Sequence, residues 1–165
     1  MLLRFAPCLP IYSVKGVQPD AYFLKAYAQY DPQENSIDPQ NLYSLASSIY
    51  AIDSNSKIAF EIVTKTDELG LKKASLTLYY KYNNGKGTLK DLKKALEYLN
   101  KAANYDIEEA QLMLGEKLCY GIKDILPQDL RRASIYLQKA YQSSNIRISN
   151  RAQELWNEFN LWVYQ

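Results

Sequence analysis

A chain of 165 residues with 20 Lys and Arg against 18 Asp and Glu carries a formal charge of +2. That surplus is too small for a protein that works by neutralising nucleic-acid phosphates. With 47% hydrophobic and 23% charged residues, the chain reads as one globular domain over 1–165, long enough to bury a core. It holds no histidine, which removes the commonest general base and metal ligand and every Ser-His-Asp or Cys-His arrangement.

The opening segment, "MLLRFAPCLPIYSV", is apolar but interrupted by Arg4, Pro7 and Pro10. It lacks an uninterrupted signal-peptide core and a small-residue cleavage site, so residues 1–19 are expected to form an N-terminal arm. A cytoplasmic location is the default expectation, or a periplasmic one if a signal was removed. Residues 20–73 read as worn repeat units. "PDAYFLKAYAQY" is a candidate helix capped by Asp20, and "DPQENSID" is a linker. "PQNLYSLASSIYAI" is a helix with Asp38 as N-cap and Pro39 in its first position. "NSKIAFEIVTKTDELGLKKA" is a second helix and the turn after it.

From Ala74 the chain repeats itself. Ala74 and Ala110 are 36 residues apart, and Gly85 and Gly121 each follow their alanine by eleven. The run from Asp91 through Ala95, Tyr98 and Leu99 to Ala102 recurs from Asp129 through Ala133, Tyr136 and Leu137 to Ala140. Two extra residues around Pro127 are the only slippage. A fixed period of this length is the mark of a repeat architecture.

Each unit reads as two helices. Ala74, Leu78 and Tyr82 share a face in the first; Leu92, Ala95, Leu96, Leu99 and Ala102 form a stripe at helical spacing in the second. Asp91 and Asp129 stand where an N-cap belongs. Residues 74–140 thus form two clear repeats, and "SNRAQELWNEFNLWVYQ", 149–165, is expected to be a capping helix. Its aromatics Trp156, Phe159 and Trp162, with Tyr164, form a candidate secondary patch for a partner.

The loop "NNGKGTLKD" has the glycines and lysine of a phosphate cradle. It follows a helix rather than a buried strand, lacks the upstream glycine such a cradle needs, and its counterpart near Gly121 keeps one glycine only. A glycine ending a helix in a left-handed turn explains what the two loops share. The carboxylates Asp106, Glu108 and Glu109 do not make a calcium loop, and the two cysteines, Cys8 and Cys119, have no metal-ligand spacing. No catalytic residue, metal ligand or cofactor site is assigned, and the chain is expected not to be an enzyme.

The pattern Ala-x3-Leu-(Gly)-x2-Tyr-x2-Gly-x-Gly, followed by Asp-x3-Ala-x2-Tyr-x3-Ala-Ala, resembles the Sel-1-like repeat family, relatives of tetratricopeptide repeats. One departure is Tyr79, which stands where the next unit has the small Gly115. The resemblance implies an all-α solenoid of helix–turn–helix repeats, wound as a right-handed superhelix, without chemistry of its own. It implies that the concave face of first helices holds a protein. The groove positions it transfers are Lys73, Leu76, Tyr80 and Asn83 in one unit. In the next they are Glu109, Leu112, Glu116, Cys119 and Tyr120.

The partner class stays open between an adaptor in signalling or envelope assembly and an immunity protein that neutralises a secreted antibacterial toxin. The small size favours immunity slightly. A secreted host-directed effector, and a small-ligand or enzymatic groove, are the alternatives. No nucleic acid and no membrane insertion are expected, and the chain is expected to be a monomer or a weak homodimer.

Overall fold

A computed structural model describes residues 38–164; the N-terminal arm, the Asp20 helix, the linker to Ile37, Cys8 and Gln165 lie outside the described residues. Seven α-helices follow one another: α1 (Pro39–Ile52), α2 (Lys57–Glu68), α3 (Lys72–Asn84), α4 (Leu92–Asn104), α5 (Glu108–Tyr120), α6 (Leu130–Tyr141) and α7 (Ile146–Glu158). A short 3-10 helix, Leu161–Tyr164, closes the described chain. The helices pack as successive pairs, α1 on α2, α3 on α4 and α5 on α6, and each pair packs on the next. The result is an all-α helical-repeat solenoid.

The helix starts follow from local chemistry. Asp38 accepts a hydrogen bond from the Gln40 amide, with Pro39 in the first position of α1. Ser56 caps α2 through the Ala59 amide, at 3.3 Å. Asp91 and Asp129 cap α4 and α6 through the amides of Lys94 and Arg132, at 3.0 and 2.9 Å. The first helices α3 and α5 have no side-chain cap, because the chain enters them directly from the preceding C-terminus. Leu71 and Ile107 donate back to the carbonyls of Thr66 and Ala102, across Gly70 and Asp106 at φ 88° and 59°. Glycine takes that left-handed position without strain, and aspartate is among the few other residues that tolerate it. Removing either aspartate cap, Asp91→Ala or Asp129→Ala, is expected to cost about 1 kcal/mol in chemical denaturation. The double variant should lose about the sum, since the sites lie in different repeats.

The two intra-repeat loops end alike and run differently. The Asp91 amide reaches the Tyr82 carbonyl, and the Asp129 amide reaches the equivalent Leu118 carbonyl, at 3.0 and 2.9 Å. Gly85 is left-handed at φ 67°, ψ 36°. Gly121 shares the positive φ but has ψ 172°, so the shared left-handed turn expected from sequence is present only in the first loop. In the second loop the chain instead extends into a bridge between Ile122 and Leu126, which absorbs the two additional residues.

The core is the alanine–leucine stripe. Ala74, Ala95, Ala102, Ala110, Ala133, Ala140 and Ala152 are buried and let helix backbones approach; Leu78, Leu99, Leu118, Leu137 and Leu155 fill the space between them. Each of those leucines contributes roughly 1.5–3 kcal/mol relative to exposure. Tyr79, the bulky substitute for a small residue, is buried, with its ring 5.0 Å from that of Tyr80 and the Lys117 ammonium 5.9 Å above it. The C-terminal segment corrects the expected single helix over 149–165: α7 starts earlier, capped by Asn145, and ends before Asn160, whose φ is 52°.

A polar clamp recurs where one repeat meets the next. Asp67, near the end of α2, accepts from Ser75 of α3 and from Lys101 of α4, at 2.7 Å. Thirty-six to thirty-nine residues on, Asp106 accepts from Gln111 of α5 at 3.1 Å and from Lys139 of α6 at 3.0 Å.

Candidate functional site

The helices that open each pair, α1, α3, α5 and α7, are tied side by side by polar and aromatic contacts. Between α1 and α3, Tyr43 and Thr77 share a hydrogen bond of 2.7 Å. Lys73 Nζ lies 4.5 Å above the Tyr43 ring, and Lys81 Nζ lies 3.0 Å from the centre of the Tyr50 ring. Burial, reinforced by the neighbouring Lys86, lowers the Lys81 ammonium to about 8.

Between α3 and α5, the Tyr80 hydroxyl donates to Glu109 Oε1 at 2.7 Å and lies 3.3 Å from Met113 Sδ. Burial and the hydrogen bond to Glu109 hold its proton on well above the usual phenol range. Between α5 and α7, the Tyr120 hydroxyl donates to Glu158 at 2.7 Å, and its ring meets Phe159 edge-on at 5.0 Å. Arg151 joins Glu116 at 2.5 Å and Glu154 at 3.1 Å, and these bonds keep the guanidinium firmly charged.

The structure brings most of the transferred groove positions into this strip. Tyr80 and Tyr120 expose their rings, Tyr120 at 55%. Glu109 and Lys73 are exposed, while Leu76, Leu112, Glu116 and Asn83 are half-buried; Asn83 donates to Asn84. Cys119 is the correction. Its side chain is 0% exposed, packed beside Leu118 in the core, and burial pushes its thiol up to about 11. A partner on the surface cannot touch it.

The expected aromatic patch is also divided. Phe159 turns to Tyr120 on α5, whereas Trp156 lines a groove of about 300 Å³ with Gln138 and Tyr141 of α6. Trp162 is 52% exposed. Tyr43, Thr77, Met113, Arg151 and Glu158 join the strip without having been marked by the sequence. The only signal for them was their place on helices that open a pair.

Among the described residues, no group of three or more His, Cys, Asp or Glu side chains lies together in a way that could hold a metal ion. No helix among them is long and apolar enough to cross a membrane.

A family model described as Sel1 repeat matches residues 80–104 and 108–145. Among solved structures, a Sel1 repeat protein from Oxalobacter formigenes is similar at 22% identity and a TM-score of 0.65. The match covers 73% of this chain and 35% of that one. The c5321 protein, a protective antigen present in uropathogenic Escherichia coli strains and displaying an SLR fold, is similar at 21% identity and a TM-score of 0.58. That match covers 87% of this chain and 34% of the other. The chain therefore spans about a third of the length of these solved structures, and at such identities the likeness establishes the fold. No curated protein matches the sequence significantly.

Proposed function

The chain carries Sel1 repeats and folds as a Sel-1-like helical-repeat protein, and from that premise we propose that it is a non-enzymatic module gripping a protein partner on the layer of first helices. Sel1 repeats in general mediate protein–protein interaction. The observation that carries the reading is the strip from Tyr80 to Tyr120. Two exposed tyrosine rings are pinned by hydrogen bonds to carboxylates on the next first helix, with half-buried Leu112 on α5 between them in sequence. Tyrosines fixed in advance offer large contact area at low entropic cost.

The variant Tyr80→Ala/Leu112→Ala/Tyr120→Ala should keep its helical circular dichroism and bind the partner isolated with the wild-type protein at least tenfold more weakly, as expected when anchor residues are removed. Equal affinity in the triple variant rejects this face.

Within this class the choice lies between an adaptor and an immunity protein. Rescue of cells from the toxic product of a neighbouring gene by this chain assigns immunity. A signalling or envelope partner with no such rescue assigns the adaptor.

A further inference from the structure

The opposite layer carries a different surface. Lys93 and Lys94 lie in the first turn of α4, and Arg131 and Arg132 hold the equivalent positions in α6; Lys86 and Lys90 precede α4 in the loop. All six are exposed. None takes part in any of the five ion pairs among the described residues. Lys94 lies 5.5 Å from the Tyr82 ring, and Arg132 donates to the neutral Asn100 of α4 at 3.4 Å, which sets the two basic pairs on neighbouring helices. Cations in a first turn face the positive end of the helix dipole and oppose the helix. Their recurrence therefore does not serve the stability of either helix.

We propose that this basic ridge is a second interaction surface, which binds an acidic peptide segment of a partner protein. Three features favour separate carboxylates over a continuous phosphate backbone or a membrane. Glu97 is exposed on α4 just beyond the lysine pair, and the cap carboxylates Asp91 and Asp129 stand beside the cations, so an unbroken line of negative charge meets repulsion. Tyr82 and Tyr98 stack on each other at 5.6 Å and are half-buried, leaving no open ring for bases to stack on. The arginine forks suit bidentate pairing with single carboxylates.

The test titrates a fluorescein-labelled peptide whose glutamates are separated by Gly-Ser spacers against the full chain by fluorescence anisotropy in low salt, beside an eight-nucleotide oligouridylate and phosphatidylglycerol vesicles. Saturable peptide binding is expected, weakened at least tenfold by Lys93→Gln/Lys94→Gln/Arg131→Gln/Arg132→Gln and several-fold by raised salt, since exposed charges are screened. The Tyr80/Leu112/Tyr120 alanine variant should bind the peptide as the wild type does, which separates this surface from the first-helix face. The glutamine variant should melt no earlier than wild type. Were it to fail to fold, the two pairwise variants each carry the test, with partial loss expected from both. Absent saturation, equal binding by the glutamine variants, or tighter binding of the RNA or the vesicles overturns the proposal.

Discussion

Replacing Lys101 by methionine is expected to destabilise the protein by about 3 kcal/mol, read as a shift in the denaturation midpoint at unchanged slope. The Asp67 side chain is 5% exposed and its lysine partner 39%. Removing the lysine strands a buried carboxylate with one remaining donor, the Ser75 hydroxyl. Breaking a buried pair from one side costs roughly 3–5 kcal/mol, and the lower end applies because water reaches the lysine end. The Asp67→Asn change should cost less, since the freed ammonium can turn to solvent.

The sharper contrast is Lys139→Met at the equivalent position. Lys139 and Asp106 are 49% and 72% exposed, so that loss should stay within about 1 kcal/mol. Burial, and not the presence of an ion pair, decides which clamp holds the array. Equal effects at the two positions would refute that distinction.

Copying Tyr79 into the equivalent place, Gly115→Tyr, is expected to cost about 3 kcal/mol or more. A Cβ at Gly115 would lie 2.6 Å from Leu137 Cγ and 2.8 Å from its Cδ2, and Leu137 is fully buried, so it has nowhere to swing. Overpacking of this kind costs typically 1–3 kcal/mol for added methylenes, and a whole ring exceeds them. Gly115→Ala should cost less, because it brings the same crowded Cβ without the ring, and alanine offsets part of that with about 1 kcal/mol of helix propensity over glycine. Trimming the neighbour in Gly115→Tyr/Leu137→Ala should recover part of the loss. A double variant no more stable than Gly115→Tyr would show that the clash lies elsewhere.

What the sequence made legible was the local chemistry and its period. Asp38, Asp91 and Asp129 announce helix starts because a carboxylate before an apolar stripe has one favourable use. The buried alanines announce themselves by recurring at 36 to 38 residues. What it hid was long-range. Nothing in "NNGKGTLKD" shows that a side chain at Gly87, at φ 76°, would meet the Ser56 carbonyl at 2.6 Å, so this glycine lets the loop touch the preceding repeat. The clamp joins residues 34 positions apart, with no local mark.

Cys119 was misplaced because it follows Leu118 at the edge of the buried stripe, where helical periodicity does not separate groove from core. Phe159, which caps the end of α7, lies about 60° around the helix axis from Trp156, and that angle sends one ring to α6 and the other to α5. The proposed partner face is legible only in outline, since the sequence does not show which carboxylates pin its exposed tyrosines.

The central claim, that the first-helix layer holds the protein partner, is tested most directly by site-specific photocrosslinking. A benzophenone amino acid replaces Tyr80, Leu112 or the exposed Gln142, at the end of α6 remote from the basic pair, and the protein is irradiated with its isolated partner. Covalent adducts from positions 80 and 112 and none from 142 are the predicted result. Adducts from 142 alone would contradict it.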